Sequence, residues 1–223
     1  MPHSPQGPDL DWRDGIPVSR TFDDPYFSLA GGLEETRHVF LTGNRLEERL
    51  RDGFHIAELG FGTGLNLLAV ALLWQRMGVP GKLCFTSFEA FPMTAEDMAR
   101  AHAAFPEVAA VSAELLRQWG AEAEEIEIPG IRLRIIPGDA RETLPRWQGK
   151  ADAWFLDGFS PAKNPELWSP ELMVGIARHT APEGTFATYT AAGHVRRALA
   201  GAGFTVSRIP GYARKRHMTV GQL

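Results

Sequence analysis

The 223-residue sequence has one cysteine, Cys84, so no internal disulfide can form, and its place inside an apolar run marks it as a buried structural thiol. It has no apolar stretch of membrane-spanning length. The longest run, Leu65 to Trp74, is broken by Asn66 and falls short of the roughly 20 residues a bilayer needs. The start, MPHSPQGPDLDW, lacks the basic opening and apolar stretch of a secretory signal, so a cytoplasmic chain without membrane attachment is expected. The seven histidines are scattered without H-x-x-x-H spacing, and no metal is expected. Acidic residues are missing after Glu183, although the net charge is −4. That stretch holds Arg196, Arg197, Arg208, Arg214, Lys215 and Arg216, which makes a local positive field on an acidic protein. The residues set no oligomeric state.

What is present is an alternation of short apolar strands and helix-length periodic segments. Residues 1 to 25, rich in Pro, Asp and Gly, read as an extended arm, and 36 to 50 as a short helical region broken at Gly43-Asn44. Residues 1–50 are therefore taken as an N-terminal extension and 51–223 as the main domain. Strands are expected at 54–59, 83–88, 131–136, 153–156 and 186–189. Helices are expected at 65–77, 94–104, 170–179 and 195–202. The segment 114–127 reads as a solvated acidic helix and turn, and Pro182-Glu183-Gly184 as a turn. Strands at 204–209 and 217–220, joined by a basic turn, suit an antiparallel hairpin at the sheet edge. Such alternation implies right-handed crossovers and an α/β fold with a mainly parallel sheet.

The sharpest local signal is Glu58-Leu59-Gly60-Phe61-Gly62-Thr63-Gly64, where the first strand gives way to the first helix. Glycines there permit a tight turn and close approach to a ligand outside the carboxyl end of the sheet. The dinucleotide fingerprint is G-x-G-x-x-G. Here the third glycine comes one residue early, and an acid stands two residues before the first. Two further acids end successive strands: Glu89, placed to accept from ribose hydroxyls, and Asp139, placed to accept from an adenine amino group. A fourth, Asp157, ends the strand Trp154-Phe155-Leu156 and opens the turn Gly158-Phe159-Ser160-Pro161.

The pattern E-x-G-x-G-x-G resembles the first motif of class I S-adenosylmethionine-dependent methyltransferases, which implies a Rossmann-like fold. In such a site Glu58 would favour the cofactor's cationic groups, directly or through water, and free backbone N–H groups would serve its carboxylate. Methylation of an amine requires the neutral lone pair. A carboxylate such as Asp157 can accept the amine's hydrogen bond, aim the lone pair and take the proton. Phe159 to Pro161 would wall the pocket and stack on a flat base.

At larger scale the chain resembles the methyltransferase domain of the bacterial MnmC family of tRNA wobble-uridine modification enzymes. The matching stretches are YFSLAGGLEETRHVFLTGNRLEERL (26–50), ELGFGTGLNLL (58–68), SFEAFPMT (87–94), WFLDGFSPAKNPELW (154–168), GTFATYTAAGHVRRAL (184–199) and GFTVSRIPGYARKRHM (203–218). The resemblance implies methyl transfer from S-adenosylmethionine to the exocyclic amine of 5-aminomethyl-2-thiouridine at the tRNA wobble position. It implies Glu58, Gly60, Gly62, Gly64, Glu89 and Asp139 as cofactor residues, and Asp157, Phe159 and Pro161 as catalytic ones. Lys163, Arg196, Arg197, Arg214, Lys215 and Arg216 are the expected contacts to the anticodon loop, with Arg37, Arg45, Arg49 and Arg51 as further candidates. The family's best-known member continues into an FAD-dependent oxidoreductase domain. This sequence ends at Leu223, so the expectation is a chain without FAD, whose aminomethyl substrate comes from elsewhere, from a separate oxidoreductase partner for example. The alternatives are an NAD-dependent oxidoreductase and a non-catalytic RNA-binding subunit on the same fold.

Overall fold

The computed structural model describes residues 7–28, 31–120, 125–213 and 215–223; Arg214, one of the expected RNA contacts, lies outside the described residues. Strands β1 (Leu10–Arg13), β2 (Ile16–Ser19) and β3 (Asp24–Pro25) form a small antiparallel sheet. Residues 10–25 of the region expected as an extended arm are therefore folded. The reason is local: Asp14 and Gly15, with φ of 51° and 79°, join Arg13 to its partner Ile16 as a two-residue hairpin turn. The short helix α1 (Gly32–Thr36) continues into a π-helical turn, Arg37–Thr42, and then α2 (Leu46–Arg49).

The main sheet is built from β4 (His55–Leu59), β5 (Leu83–Glu89), β6 (Glu125–Ile128), β7 (Ile131–Pro137), β8 (Ala151–Leu156), β9 (Thr180–Thr188), β10 (Thr205–Pro210) and β11 (His217–Gln222). Their order is β10-β11-β9-β8-β4-β5-β7-β6. The five central strands run parallel, whereas β6, β11 and β10 pair antiparallel. The helices are α3 (Leu65–Met77), α4 (Ala95–His102), α5 (Ala109–Gln118), α6 (Ala140–Thr143), α7 (Pro170–Arg178) and α8 (Gly193–Gly201). The fold is α/β and Rossmann-like, with the antiparallel C-terminal hairpin expected.

Alternation along the central strands feeds two cores, one on each face of the sheet. Ile56, Ala153 and Phe155 meet Leu67, Leu68 and Val70 of α3; Ala57, Leu59, Trp154 and Leu156 face Leu172, Ile176 and Leu199 of α7 and α8. Both faces are covered, so the strand tips at the carboxyl end are where polar side chains emerge.

Two segments depart from the sequence reading. The acidic stretch 114–127 does not end as a solvated turn: α5 stops at Gln118, and β6 adds an antiparallel edge strand with Ile126 and Ile128 turned inward. The alternating Glu-Ile-Glu-Ile carried that signal. Pro182-Glu183-Gly184 is not a separate turn but an irregularity inside β9. Ala151 pairs with Thr180 and Ala153 with Thr185, and Glu183, at φ 60°, takes up the extra residues. Cys84 is only half-buried, and no helix among the described residues is long and apolar enough to cross a membrane.

Candidate active site

A cavity of about 1010 Å³ opens at the carboxyl ends of β4, β5, β7 and β8. Gly60, Gly62, Glu89, Asp139, Asp157 and Phe159 all line it, so most residues singled out in the sequence come together. The far wall is supplied by the N-terminal segment, through Phe22, Asp24 and Tyr26, and by Tyr189, Tyr212 and Lys215 near the C-terminus.

The glycine loop is braced from several sides. Gly60 N–H donates to Phe88 O at 2.9 Å, and Gly62 N–H to Glu89 Oε2 at 2.8 Å. The buried ring of His102 lies between Thr63 O, at 2.6 Å, and Ser112 Oγ, at 2.7 Å. Burial lowers its pKa, which keeps the ring neutral to link carbonyl and hydroxyl. Gly62 has φ 53°, and a Cβ there would lie 3.0 Å from the Tyr26 ring. Gly64 lies off the cavity, before α3, where a Cβ would meet the Phe61 ring at 2.8 Å. Its requirement is a left-handed φ of 77° together with packing, not ligand contact.

Glu58 does not face the cavity as expected. It is fully buried, with Oε1 accepting from Asn66 Nδ2 at 2.8 Å and Oε2 from Ser87 Oγ at 2.6 Å. Burial pushes its pKa well above the ordinary carboxylate range, against the pull of these hydrogen bonds. Nor is the Gly62 N–H free for a ligand carboxylate, since Glu89 takes it. Asn66 is the residue that sequence reasoning missed. Its Nδ2 also donates to Asp157 Oδ2 at 2.8 Å, and its Oδ1 accepts from Thr36 Oγ1 at 2.9 Å. The clue was present as the polar residue breaking the apolar run of α3.

Asp157 is half-buried; Oδ1 accepts from Gly158 N–H at 2.8 Å. Burial pushes its pKa up to about 6, opposed by the Asn66 and Gly158 hydrogen bonds and by the Lys215 charge. Glu89 accepts from Phe91 N–H at 2.7 Å as well as from Gly62, and burial raises its pKa too. Asp139 caps α6 through Arg141 N–H and forms an ion pair with the Arg141 guanidinium, which lowers its pKa. It reaches the cavity as an already paired carboxylate. Phe159 stacks on Phe22, with ring centroids 4.6 Å apart at 22°, and meets Tyr26 edge-on at 5.1 Å. Pro161 is buried and does not line the cavity.

The basic residues divide. Lys215 reaches across the cavity mouth, its Nζ 2.7 Å from Glu35 Oε1 and 4.5 Å from the Tyr189 ring centroid. Its ammonium is engaged with these two groups. Lys163 is drawn to the N-terminal segment, donating to Asp23 O and pairing with Asp24 at 3.4 Å. Arg49 and Arg51 sit at the opposite end of the sheet, bonded to Asp152 O and Asp152 Oδ1. Arg37 pairs with Glu107. Arg197 and Arg216 are exposed, and Arg196 is half-buried.

Residues 106–223, just over half of the chain, match the family model described as S-adenosyl-L-methionine-dependent methyltransferase. The chain belongs to this family. The methyltransferase is 50% identical, over 95% of its length, to the tRNA 5-methylaminomethyl-2-thiouridine biosynthesis bifunctional protein MnmC of Pseudomonas paraeruginosa. It is 46% identical over 95% of its length to the protein of the same name from Chromobacterium violaceum. It covers 34% of each, so the chain spans about a third of the length of these relatives. A crystal structure of MnmC2 from Aquifex aeolicus superposes with a TM-score of 0.73 at 29% identity, covering 99% of this chain and 71% of the other. A precorrin-6y C5,15-methyltransferase from Geobacter metallireducens shares the fold at a TM-score of 0.54 and 12% identity, with 94% of each chain covered.

The methyltransferase's residues fit the family's cofactor. Gly60 and Gly62 keep side chains out of the strand-tip cradle, where a Cβ on Gly62 would crowd Tyr26. Around it stand Glu89, suited to hydroxyl donors, and Asp157, suited to a neighbouring cation. The family also removes the nicotinamide alternative.

Proposed function

We propose that the chain transfers a methyl group to the exocyclic amine of 5-aminomethyl-(2-thio)uridine at the tRNA wobble position, giving 5-methylaminomethyl-(2-thio)uridine. S-adenosylmethionine supplies an electrophilic methyl group on a sulfonium. The new bond is N–CH₃, the broken one S–CH₃, the leaving group S-adenosylhomocysteine, and one proton leaves the amine. The observation that carries the reading is Asp157: a carboxylate at a strand tip, bordering the Gly60 cradle, on the wall of an aromatic-lined cavity.

An aminomethyl group in water is largely an ammonium, since alkylamines titrate near 10.4. Asp157 is ionised at neutral pH, accepts the ammonium's hydrogen bond and takes its proton, leaving the lone pair aimed at the methyl group. Asn66 and the Gly158 N–H hold both carboxylate oxygens, so the acceptor meets a fixed base. Phe159, backed by Phe22, offers the flat surface against which a pyrimidine stacks. Tyr189, its pKa raised by burial and by Asp157, keeps its hydroxyl proton and holds Gly158 O at 2.9 Å. The N-terminal segment lines one side of the cavity through Phe22, Asp24 and Tyr26, and in this reading residues 1–50 act as a substrate-side cover on a catalytic unit, 51–223.

Arg196, Arg197 and Arg216 are assigned to RNA phosphates. The setting is the cytoplasm, and an oxidoreductase acting on a carboxymethylated precursor supplies the amine. The relatives' name, tRNA 5-methylaminomethyl-2-thiouridine biosynthesis, supports this substrate. The test is incubation with methyl-labelled S-adenosylmethionine and tRNA from cells lacking the modification, followed by nucleoside analysis. Label in 5-methylaminomethyl-2-thiouridine is expected; label in another nucleoside, or none, overturns the assignment.

A further inference from the structure

We propose that the Glu35 carboxylate and the Tyr189 ring form the subsite for the acceptor's ammonium, and that Lys215 fills it with its own cation until the acceptor arrives. The inference rests on the amine-methylation reading and adds how the amine is selected.

Glu35 lies on α1 and is only 8% exposed. A carboxylate so placed is costly unless a cation accompanies it. Lys215 supplies that cation at 2.7 Å, and the same ammonium stands 4.5 Å from the Tyr189 ring centroid. A carboxylate on one side and an aromatic face on the other is the chemistry that recognises ammonium ions. The Tyr189 hydroxyl is engaged with Gly158 O, so the ring face is what Tyr189 offers at this point. Gly158 adjoins Asp157, and Glu35, Asp157, Tyr189 and Lys215 line the same cavity, so the subsite borders the base that takes the proton.

The two partners of the ion pair differ in freedom. Glu35 is fixed in a helix, whereas Lys215 is carried by the β10–β11 connection on a flexible four-carbon stem, with its side chain 46% exposed. Withdrawal of Lys215 leaves Glu35 buried without a counter-charge. An entering aminomethyl cation relieves that cost; a neutral substituent on the same base does not. Selection thus comes from exchange of one ammonium for another.

The test uses benzylammonium, a flat ring bearing an aminomethyl group, titrated calorimetrically into the full chain. Removing the competing cation with Lys215→Ala is expected to tighten its binding about tenfold, a factor typical of one desolvated cation–ring pair. Glu35→Gln, or Tyr189→Leu where that variant fails to fold, is expected to abolish the gain when combined with Lys215→Ala. Benzyl alcohol binds all variants alike. Unchanged benzylammonium binding by Lys215→Ala, with weakened tRNA binding, makes Lys215 a phosphate ligand and overturns the proposal. Tighter benzylammonium binding in a protein that leaves hypomodified tRNA unmethylated supports the subsite and refutes the substrate.

Discussion

Asn66 donates to Oδ2 of Asp157 at 2.8 Å, tying the first turn of α3 to the tip of β8. The same amide nitrogen reaches Glu58, and Thr36 fixes the amide's orientation from the other side. Glu58, read from the sequence as a cofactor ligand, thus acts on the site through Asn66.

Replacement of Asn66 by Asp keeps the shape but sets a third carboxyl between two others. Like charge raises the pKa of its neighbours. The acid limb of the kcat/KM profile is expected to move up by about one pH unit, with little change in far-ultraviolet circular dichroism. An unmoved limb removes Asn66 as a positioning residue.

The raised pKa of Asp157 carries a stability signature. With a folded value of about 6 against an ordinary 3.8, the folded chain holds this proton more tightly than the unfolded one. The associated stabilisation is therefore complete below 3.8 and is lost as pH rises through 6. Asp157→Asn has no such proton. Its stability relative to the parent is expected to rise between pH 4 and pH 7 by up to about 3 kcal/mol, from roughly two pKa units. Urea unfolding at both pH values measures this, and a gap constant with pH contradicts it.

Gly62 adopts φ 53°, and a Cβ there would press on Tyr26. Gly62→Val is expected to weaken S-adenosylmethionine binding by at least about tenfold, through backbone strain and crowding of the cradle. Calorimetric titration checks this. Gly53→Ala, at φ 70° with open space around its Cβ position, is expected to lose stability but not affinity.

Combined Ala substitution of Arg196, Arg197 and Arg216 is expected to weaken tRNA binding and to flatten its dependence on salt, by about one counterion for each phosphate no longer neutralised. Cofactor affinity is expected to stay as it was. An unchanged salt slope would exclude these residues from the RNA interface.

Much of this architecture was legible because the parallel strands are apolar and bounded by glycine, proline or acid. Leu65–Met77 stands where its periodicity put it, and the tips of β4, β5, β7 and β8 carry the four acids read from the sequence. Direction was not legible. A strand ending in Glu does not reveal whether its side chain faces a cavity, as in Glu89, or packs beneath the sheet tip, as in Glu58. The cover was missed for another reason: Phe22, Tyr26 and Glu35 reach the site through tertiary packing of a segment with little local periodicity. In the basic connection, charge alone does not say which way a lysine turns. Lys215 turned inward toward a buried carboxylate, a pairing 180 residues apart in sequence.

The most direct test of the account is the Asp157→Asn variant, assayed at saturating S-adenosylmethionine with tRNA carrying the wobble aminomethyl group. Loss of the base is expected to slow methyl transfer by at least about 10²-fold, while cofactor affinity stays within about threefold because Gly60, Gly62 and Glu89 are untouched. Methyl transfer at near-parental rate by this variant would contradict the assignment of Asp157 as the group that prepares the amine.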